Sequence, residues 1–272
     1  MSTAITKKKS TALQPTKGLK SMLAVDARRM LTTSRFWICL GIALLMPILI
    51  LTMTSMMSGS EIANAQTGEA ATVEAFSSAW QIIGTESGAV TMTSMDLTSM
   101  CNINLIFFLA GVFVCLFISD DFRSGYAKNL FTVRAKKGDY VMSKTIVGFL
   151  AGAAMLIAFF LGAVIGGGVA GLPFTLGTAG VFGLSMCMIA KIFLMGVFVA
   201  IAVLVSAFGK QRSWLSILLF CFVGMLLFMM IPMMTPLNAG MMNVILCLAG
   251  GTLFVLGLGK VSGLALSRQD LV

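Results

Sequence analysis

The sequence predicts an all-α, polytopic membrane protein with six transmembrane helices, an N-terminal interfacial amphipathic helix and both termini in the cytoplasm. Its 272 residues are 58% hydrophobic and 11% charged, with a mean hydropathy of +0.99, whereas soluble domains contain about 25% charged residues. Apolar stretches of about 20 residues, enough to cross a bilayer, recur along the chain. Basic residues gather on one side of those stretches. These features exclude a water-soluble single-domain enzyme.

The N-terminal region divides into two parts. Residues 1–16 carry the run Lys7-Lys8-Lys9 and are predicted to form a disordered basic tail near the inner leaflet. From residue 17 to residue 35, apolar and charged residues alternate. This pattern favours an amphipathic helix lying in the membrane interface, and the alternative is a solvated juxtamembrane stretch.

The membrane domain, residues 36–272, contains six candidate spans. Each has about 20 mostly apolar residues, which at 1.5 Å per residue cross a hydrocarbon core of about 30 Å. They cover residues 36–57, 100–119, 146–170, 180–208, 214–234 and 241–259.

Loop 58–99 is the one large external segment that this arrangement predicts. Its apolar residues Val73, Phe76, Trp80 and Ile83 have helical spacing. They predict a short helix resting on the outer ends of the spans or on lipid, and a lid over a substrate exit is the alternative interpretation.

Charge determines the predicted orientation. All but one of the 19 Lys and Arg residues lie before the first span, in loop 120–145, between the fourth and fifth spans, or after the sixth. Loop 58–99 contains acidic residues and no basic ones. Since cytoplasmic flanks carry the excess of Lys and Arg, we expect a multi-pass protein of the cell membrane. Its pI of about 9.5 then reflects topology and contact with anionic lipid, without any nucleic-acid partner.

Catalytic and nucleotide-binding patterns are missing. The chain has no His, no phosphate-binding loop of the GxxxxGK[ST] type, and no Asp or Glu well inside a span. We therefore do not expect an enzyme or a cofactor bound to this chain. The 6 Cys and 22 Met residues are interpreted as apolar packing rather than as metal ligands.

Three polar residues in or near the spans are candidates for a translocation path. Lys191 is the one charge deep in a span, while Asn102 and Asn104 lie near the outer end of the second span. An intramembrane Lys can line a path or a dimer seam. It can equally be a snorkelling or internally hydrogen-bonded side chain, and for the two Asn residues helix packing is the alternative.

The cytoplasmic segment 120–145 contains an apolar ridge. Phe122, Tyr126 and Leu130 are four residues apart and share one face of a short predicted helix. An exposed ridge of this kind is costly, so it should pack on the protein's own helices or on a partner.

This segment resembles the loop between the second and third spans of ABC transporter permeases of the type-2 export family. The matching positions are Asp121, Phe122, Gly125, Lys128, Asn129, Leu130, Arg134, Tyr140 and Lys144. The resemblance implies a coupling helix that docks in a groove of a separate ABC ATPase subunit. That helix would use Asp121, Phe122, Gly125, Tyr126, Lys128, Leu130 and Arg134.

The resemblance also implies the rest of the assembly. Two copies of the ATPase subunit would bind ATP and Mg, and a second permease subunit, identical or homologous, would complete the path. Closure of the ATPase subunits would then rock the permeases between inward-open and outward-open states.

Two interpretations of function remain open from the sequence. The first is the permease subunit of an exporter for an amphipathic or hydrophobic peptide, lipid or drug. The second is a six-span secondary carrier or a non-transporting membrane scaffold. Carriers usually need ionisable groups near the bilayer midplane, and only Lys191 qualifies, which favours the ATP-driven interpretation.

Overall fold

The computed structural model describes residues 15–57, 61–63, 70–72, 76–84, 102–132, 136–177, 179–209, 212–228 and 230–267. The helices in these ranges are α1 (Pro15–Thr32), α2 (Ser34–Met57), α3 (Leu105–Arg123), α4 (Tyr126–Thr132), α5 (Lys137–Val169), α6 (Gly180–Gly209), α7 (Ser213–Phe228), α8 (Met230–Met234) and α9 (Met241–Ser267). A two-stranded antiparallel ribbon pairs β1 (Glu61–Ala63) with β2 (Ala70–Thr72). Apart from this ribbon, the predicted all-helical architecture is confirmed for the described residues.

Five helices of the described chain are long and apolar enough to cross a membrane: α2, α3, α5, α6 and α9. The remaining predicted span, 214–234, corresponds to α7, with 16 residues, followed by the five-residue α8. At 1.5 Å per residue, α7 alone extends about 24 Å, less than a hydrocarbon core of about 30 Å. The multi-pass character is confirmed, and the sixth span stays a prediction.

The largest difference between the predicted and the observed helix bounds is at the start of α5. The sequence predicts a span from residue 146, but the helix begins at Lys137. Its first turns are polar, so hydropathy does not detect them, although nothing in 137–145 breaks a helix. Much of the predicted loop 120–145 is therefore helical.

The N-terminal helix is present with slightly different bounds from the predicted 17–35. α1 begins at Pro15, an allowed first-turn residue for a helix, and ends at Thr32. It packs along the first turns of α5, burying Asp26 and Met30, while Lys20 and Arg28 stay exposed. Residues 1–14 of the predicted basic tail lie outside the described residues, and the interfacial position of α1 stays a prediction.

The predicted helix in loop 58–99 is wrong for the residues that the structure describes. Within residues 76–84, only a 3-10 helix, Ala79–Ile82, forms, and Ser78 caps it by accepting from the Trp80 amide. The Trp80 indole donates to the carbonyl of Phe174, 3.1 Å away. This segment is therefore held against the loop that follows α5. The Val73 position lies outside the described residues.

Close contact between α2 and α5 depends on glycine. A Cβ on Gly162 would lie 2.1 Å from the carbonyl oxygen of Leu44, and a Cβ on Gly166 would lie 2.8 Å from the Cα of Ile48. Because lipid supplies no hydrophobic drive for helix association, such close backbone approach is what holds the helices together. This glycine pair therefore serves packing within the chain.

Helix α6 lies at the centre of the bundle and packs against α3, α5, α7 and α9. In contrast to α6, helices α2 and α9 have exposed outer surfaces, on which side chains such as Leu49 and Leu253 are largely exposed. Exposed apolar surfaces of this extent face lipid or another subunit.

Candidate functional site

The short helix α4 is connected to the end of α3 by a tight turn at Ser124 and Gly125. Gly125 has a φ of +72°, in the left-handed region where glycine carries little steric cost. A Cβ there would meet no atom within 4 Å, so backbone conformation rather than lack of space favours glycine. This turn ends α3 and sets α4 beside the ends of α3 and α5, where the Phe131 and Tyr140 ring centres are 5.3 Å apart.

The predicted ridge on this segment faces the protein itself. Phe122 is buried in the last turn of α3, whereas Tyr126 and Leu130 are half-buried on α4. The prediction that one short helix carries all three residues is therefore wrong, because the chain turns at Ser124 and Gly125. Leu130 packs against the apolar core. The sequence left open whether the protein's own helices or a partner would cover this ridge. In the structure, the protein's own helices cover it. The exposed side of the segment carries Arg123, Lys128 and Asn129, whereas Arg134 lies outside the described residues.

Four charged side chains, three of them buried, form a cluster beside α4. The Lys144 ammonium lies 2.7 Å from Oδ1 of Asp26 and 2.6 Å from Oδ2 of Asp121. Nη1 of Arg29 lies 2.8 Å from Oδ1 of Asp121, an ion pair without hydrogen-bond alignment. Asp26 and Arg29 belong to α1, Asp121 to α3 and Lys144 to α5. The cluster therefore ties together three helices.

Neutral side chains complete the cluster. The Ser143 hydroxyl donates to Oδ2 of Asp26 at 2.7 Å, and the Tyr140 hydroxyl donates to Oδ2 of Asp121 at 3.0 Å. The ammonium of Lys144 also lies 4.3 Å from the centre of the Phe117 ring, within the range of a cation–π contact. Both carboxylates thus accept hydrogen bonds from neutral donors as well as contacting cations.

The charges of the cluster balance, with two carboxylates facing one ammonium and one guanidinium. Asp121 and Lys144 have side chains that are 0% exposed. Burying either alone would cost several kcal/mol, so each depends on its partner. Burial by itself would lower the pKa of Arg29, but the carboxylates of Asp121 and Asp26 raise it above its ordinary value. Arg29 therefore stays charged.

The position of Asp121 corrects one expectation. The resemblance places this residue on the helix that docks to a partner, but its side chain is fully buried in the cluster. Its neighbour Asp120 is exposed and pairs instead with Arg35 at the start of α2. In the described structure Asp121 organises the base of α4 and is not available as a contact surface.

A second polar group surrounds Lys191 in α6. Its ammonium donates to Oδ1 of Asn104 and to Oγ1 of Thr235, both at 2.9 Å. The backbone N–H of Asn104 donates to Oδ1 of Asn102 at 2.9 Å. All three residues predicted to line a path therefore lie together, at the beginning of α3. Lys191 is 1% exposed and Asn104 2%, so the described conformation matches the internally hydrogen-bonded alternative.

Sequence reasoning missed several of these participants. Asp26, Arg29, Ser143 and Thr235 were not singled out. One signal was available for Asp26, which is the single acidic residue among the first 35. An acid within a basic segment suggests a specific cationic partner, but its identity, 118 positions away in the chain, could not be inferred.

Within the part of the chain that the structure describes, no group of three or more His, Cys, Asp or Glu side chains is arranged to hold a metal ion. The two polar groups consist mainly of charges and amides that bind one another.

The family described as ABC-2 family transporter protein matches residues 32–227, which is more than half of the chain. The chain belongs to the ABC-2 transporter family. No curated protein and no solved structure matches it.

The ABC-2 match covers α2 to α7 and so includes Asp121, Lys144, Lys191 and Asn104. It makes this chain the membrane domain of an ABC transporter, a permease. Asp26 and Arg29 precede the matched range. The two residues that α1 contributes to the charge cluster therefore lie outside the family match.

Proposed function

We propose that this ABC-2 permease is the membrane subunit of an ATP-driven exporter, with α4 as the helix that receives the movement of a separate ATPase subunit. The supporting observation is the placement of α4. It lies between the ends of α3 and α5, and those ends share the buried Asp121–Lys144 ion pair. A displacement of α4 would therefore move both helices together.

The contact surface for the ATPase would be the exposed side of this segment. Arg123, Lys128 and Asn129 are exposed, whereas the apolar ridge holds α4 to its own protein. A basic and amide-bearing surface suits a groove with carboxylates and carbonyl groups. Only the exposed side would contact the partner, and the ridge would transmit the displacement inward.

Transmission would pass through the charge cluster. Rigid helices carry such movements when they are fixed to one another at defined points. The cluster fixes α1 to α3 and α5, so the N-terminal helix would follow the coupling movement. Two ATPase copies, binding ATP and Mg, and a second permease subunit would complete the exporter, with no catalytic group in this chain.

The substrate we propose is amphipathic or hydrophobic: a peptide, a lipid or a drug. The observation that supports this is the composition of α6, whose buried side chains are apolar except for a few such as Lys191 and Ser206. When α3 and α6 separate in another state, Lys191 and Asn104 would provide one polar contact within an apolar path. The predicted orientation, with both termini in the cytoplasm, puts α4 on the ATPase side.

The test is purification of the tagged full-length chain from its native cells in mild detergent, followed by mass spectrometry of the proteins that accompany it. We expect a subunit with a Walker motif, and we expect Lys128→Glu to release it because the substitution reverses a charge on the exposed side. Lys20→Glu makes the same charge reversal on exposed α1 and should leave the complex intact.

Two outcomes would contradict the proposal. The first is recovery of the permease without any ATPase, which would favour a carrier or a scaffold. The second is equal loss of the ATPase in the Lys128 and Lys20 variants, since a general charge effect would then replace a specific contact at α4.

A further inference from the structure

An apolar groove runs between α5 and α9, outside both polar groups described above. It consists of two hollows of about 750 and 540 Å³. Both are lined by Thr145 and Ile146 of α5 and by Val255 and Leu256 of α9. The shared residues make the hollows one continuous groove, whose floor is formed by Phe193 and Gly196 of α6.

The dimensions of the groove match one leaflet of a bilayer. On α9 it extends from Leu248 to Leu264, and 16 residues at 1.5 Å each cover about 24 Å. Half of a bilayer of about 40–45 Å, with the headgroup regions included, is about 20–22 Å. An acyl chain lying along the groove would therefore pass from the level of the headgroups to near the bilayer midplane.

Charge is confined to one end of the groove. Lys137, Asp139 and Lys260 line that end, and exposed Lys136 directly precedes it. The Lys137 ammonium donates to the carbonyl of Leu266, 2.7 Å away. This bond uses one of its three hydrogens, so Lys137 joins the ends of α5 and α9 and still has two donors. Three ammonium groups and one carboxylate give this end a net positive charge.

Glycine shapes the wall that α9 contributes. Gly259 and Gly263 line the charged end, and a Cβ on either would meet no atom within 4 Å. Larger side chains in these positions would project into open space, where they would fill the groove without displacing a neighbouring helix. The groove can therefore be closed by substitution while the fold is kept.

We propose that this groove binds an anionic phospholipid, with an acyl chain between α5 and α9 and the phosphate at Lys137 and Lys260. A phosphate group complements the net positive charge, and the apolar walls complement the chain. Basic residues at the membrane surface contribute about 1 kcal/mol each to binding anionic lipid, equivalent to about a fivefold change in affinity. In the proposed orientation, the lipid belongs to the cytoplasmic leaflet.

The experiment is native mass spectrometry of the purified full-length permease in detergent, titrated separately with dioleoyl phosphatidylglycerol and dioleoyl phosphatidylcholine. We expect tighter binding of phosphatidylglycerol. Lys260→Gln should weaken its binding about fivefold and leave phosphatidylcholine binding unchanged. The double variant Gly259→Leu/Gly263→Leu should weaken phosphatidylglycerol binding about tenfold, the effect of excluding roughly two methylene groups.

Gly257→Leu is the matched control. It lies on the same helix, its Cβ would also meet no atom within 4 Å, and it does not line the groove. We expect it to bind phosphatidylglycerol like the parent protein.

Three results would overturn the proposal. These are equal affinity of the parent for both lipids, unchanged phosphatidylglycerol binding in the groove-filled variant, and a change of oligomeric state in that variant with lipid binding unaffected. The last would identify the groove as an interface between protein chains. Since the titration needs no ATPase, its failure would leave the proposed coupling through α4 intact.

Discussion

At the scale of single residues, Lys144 is central to the charge cluster because its ammonium contacts both carboxylates. Its side chain is 0% exposed. Without Lys144, two carboxylates would share the remaining guanidinium of Arg29. Removal of one partner from a buried ion pair costs about 3–5 kcal/mol, much more than removal of a surface pair.

We therefore expect Lys144→Met to lower the free energy of unfolding by about 3–5 kcal/mol, measured by denaturant titration of the purified protein in detergent. Arg35→Gln is the control, because the Arg35–Asp120 pair is exposed on both sides. It should cost less than about 1 kcal/mol. Similar small effects of both substitutions would mean that the cluster does not hold the three helices together.

At the scale of helices, α2 and α5 show how a membrane bundle gains contact without a hydrophobic drive. Gly162 and Gly166 allow the α2 backbone around Pro47 to lie directly on α5. Their spacing of four places them on one face of the helix, and this face was recognisable in the sequence. The neighbour that covers it was not, because many apolar segments could do so.

Gly162→Ala should separate the two helices, since the new Cβ would lie 2.1 Å from a backbone oxygen that cannot rotate away. We expect a loss of about 1–3 kcal/mol in the free energy of unfolding. Gly168→Ala lies on the same helix where a Cβ meets no atom within 4 Å, and there alanine should be neutral or stabilising. If both substitutions had the same effect, the α2–α5 contact would be looser than described.

The same scale shows why some elements were predictable and others were not. Long apolar runs identify α2, α3, α5, α6 and α9, because burial in lipid requires hydrophobicity along the whole helix. Hydropathy could not show that α5 begins at Lys137. Periodicity predicted a helix near Trp80, but it could not show that only one 3-10 turn forms there. Both depend on neighbours: α1 covers the first turns of α5, and the Phe174 carbonyl binds Trp80.

At the scale of the whole molecule, the polar groups divide between the two ends of the bundle. The charge cluster beside α4 lies where α3 ends and α5 begins, while Lys191, Asn104 and Thr235 meet where α3 begins. Periodicity and charge predicted that α4 would be a helix with an apolar face and that Lys191 would be exceptional. They could not predict the pairing of Asp26 with Lys144, since only the folded chain brings those residues together.

The proposed coupling to an ATPase therefore depends on the exposed side of α4. If α4 receives the movement of an ATPase, Lys128 must lie against that subunit in the membrane. Val181, at the start of α6 and 74% exposed, should lie on the opposite side of the membrane and contact no ATPase.

The most direct measurement is photo-crosslinking in native membranes, with a photoreactive amino acid placed at position 128 or, as the control, at position 181. We expect a crosslink from position 128 to a subunit with a Walker motif and none from position 181. Absence of that crosslink from position 128, in a protein that is inserted and folded, would contradict coupling through α4.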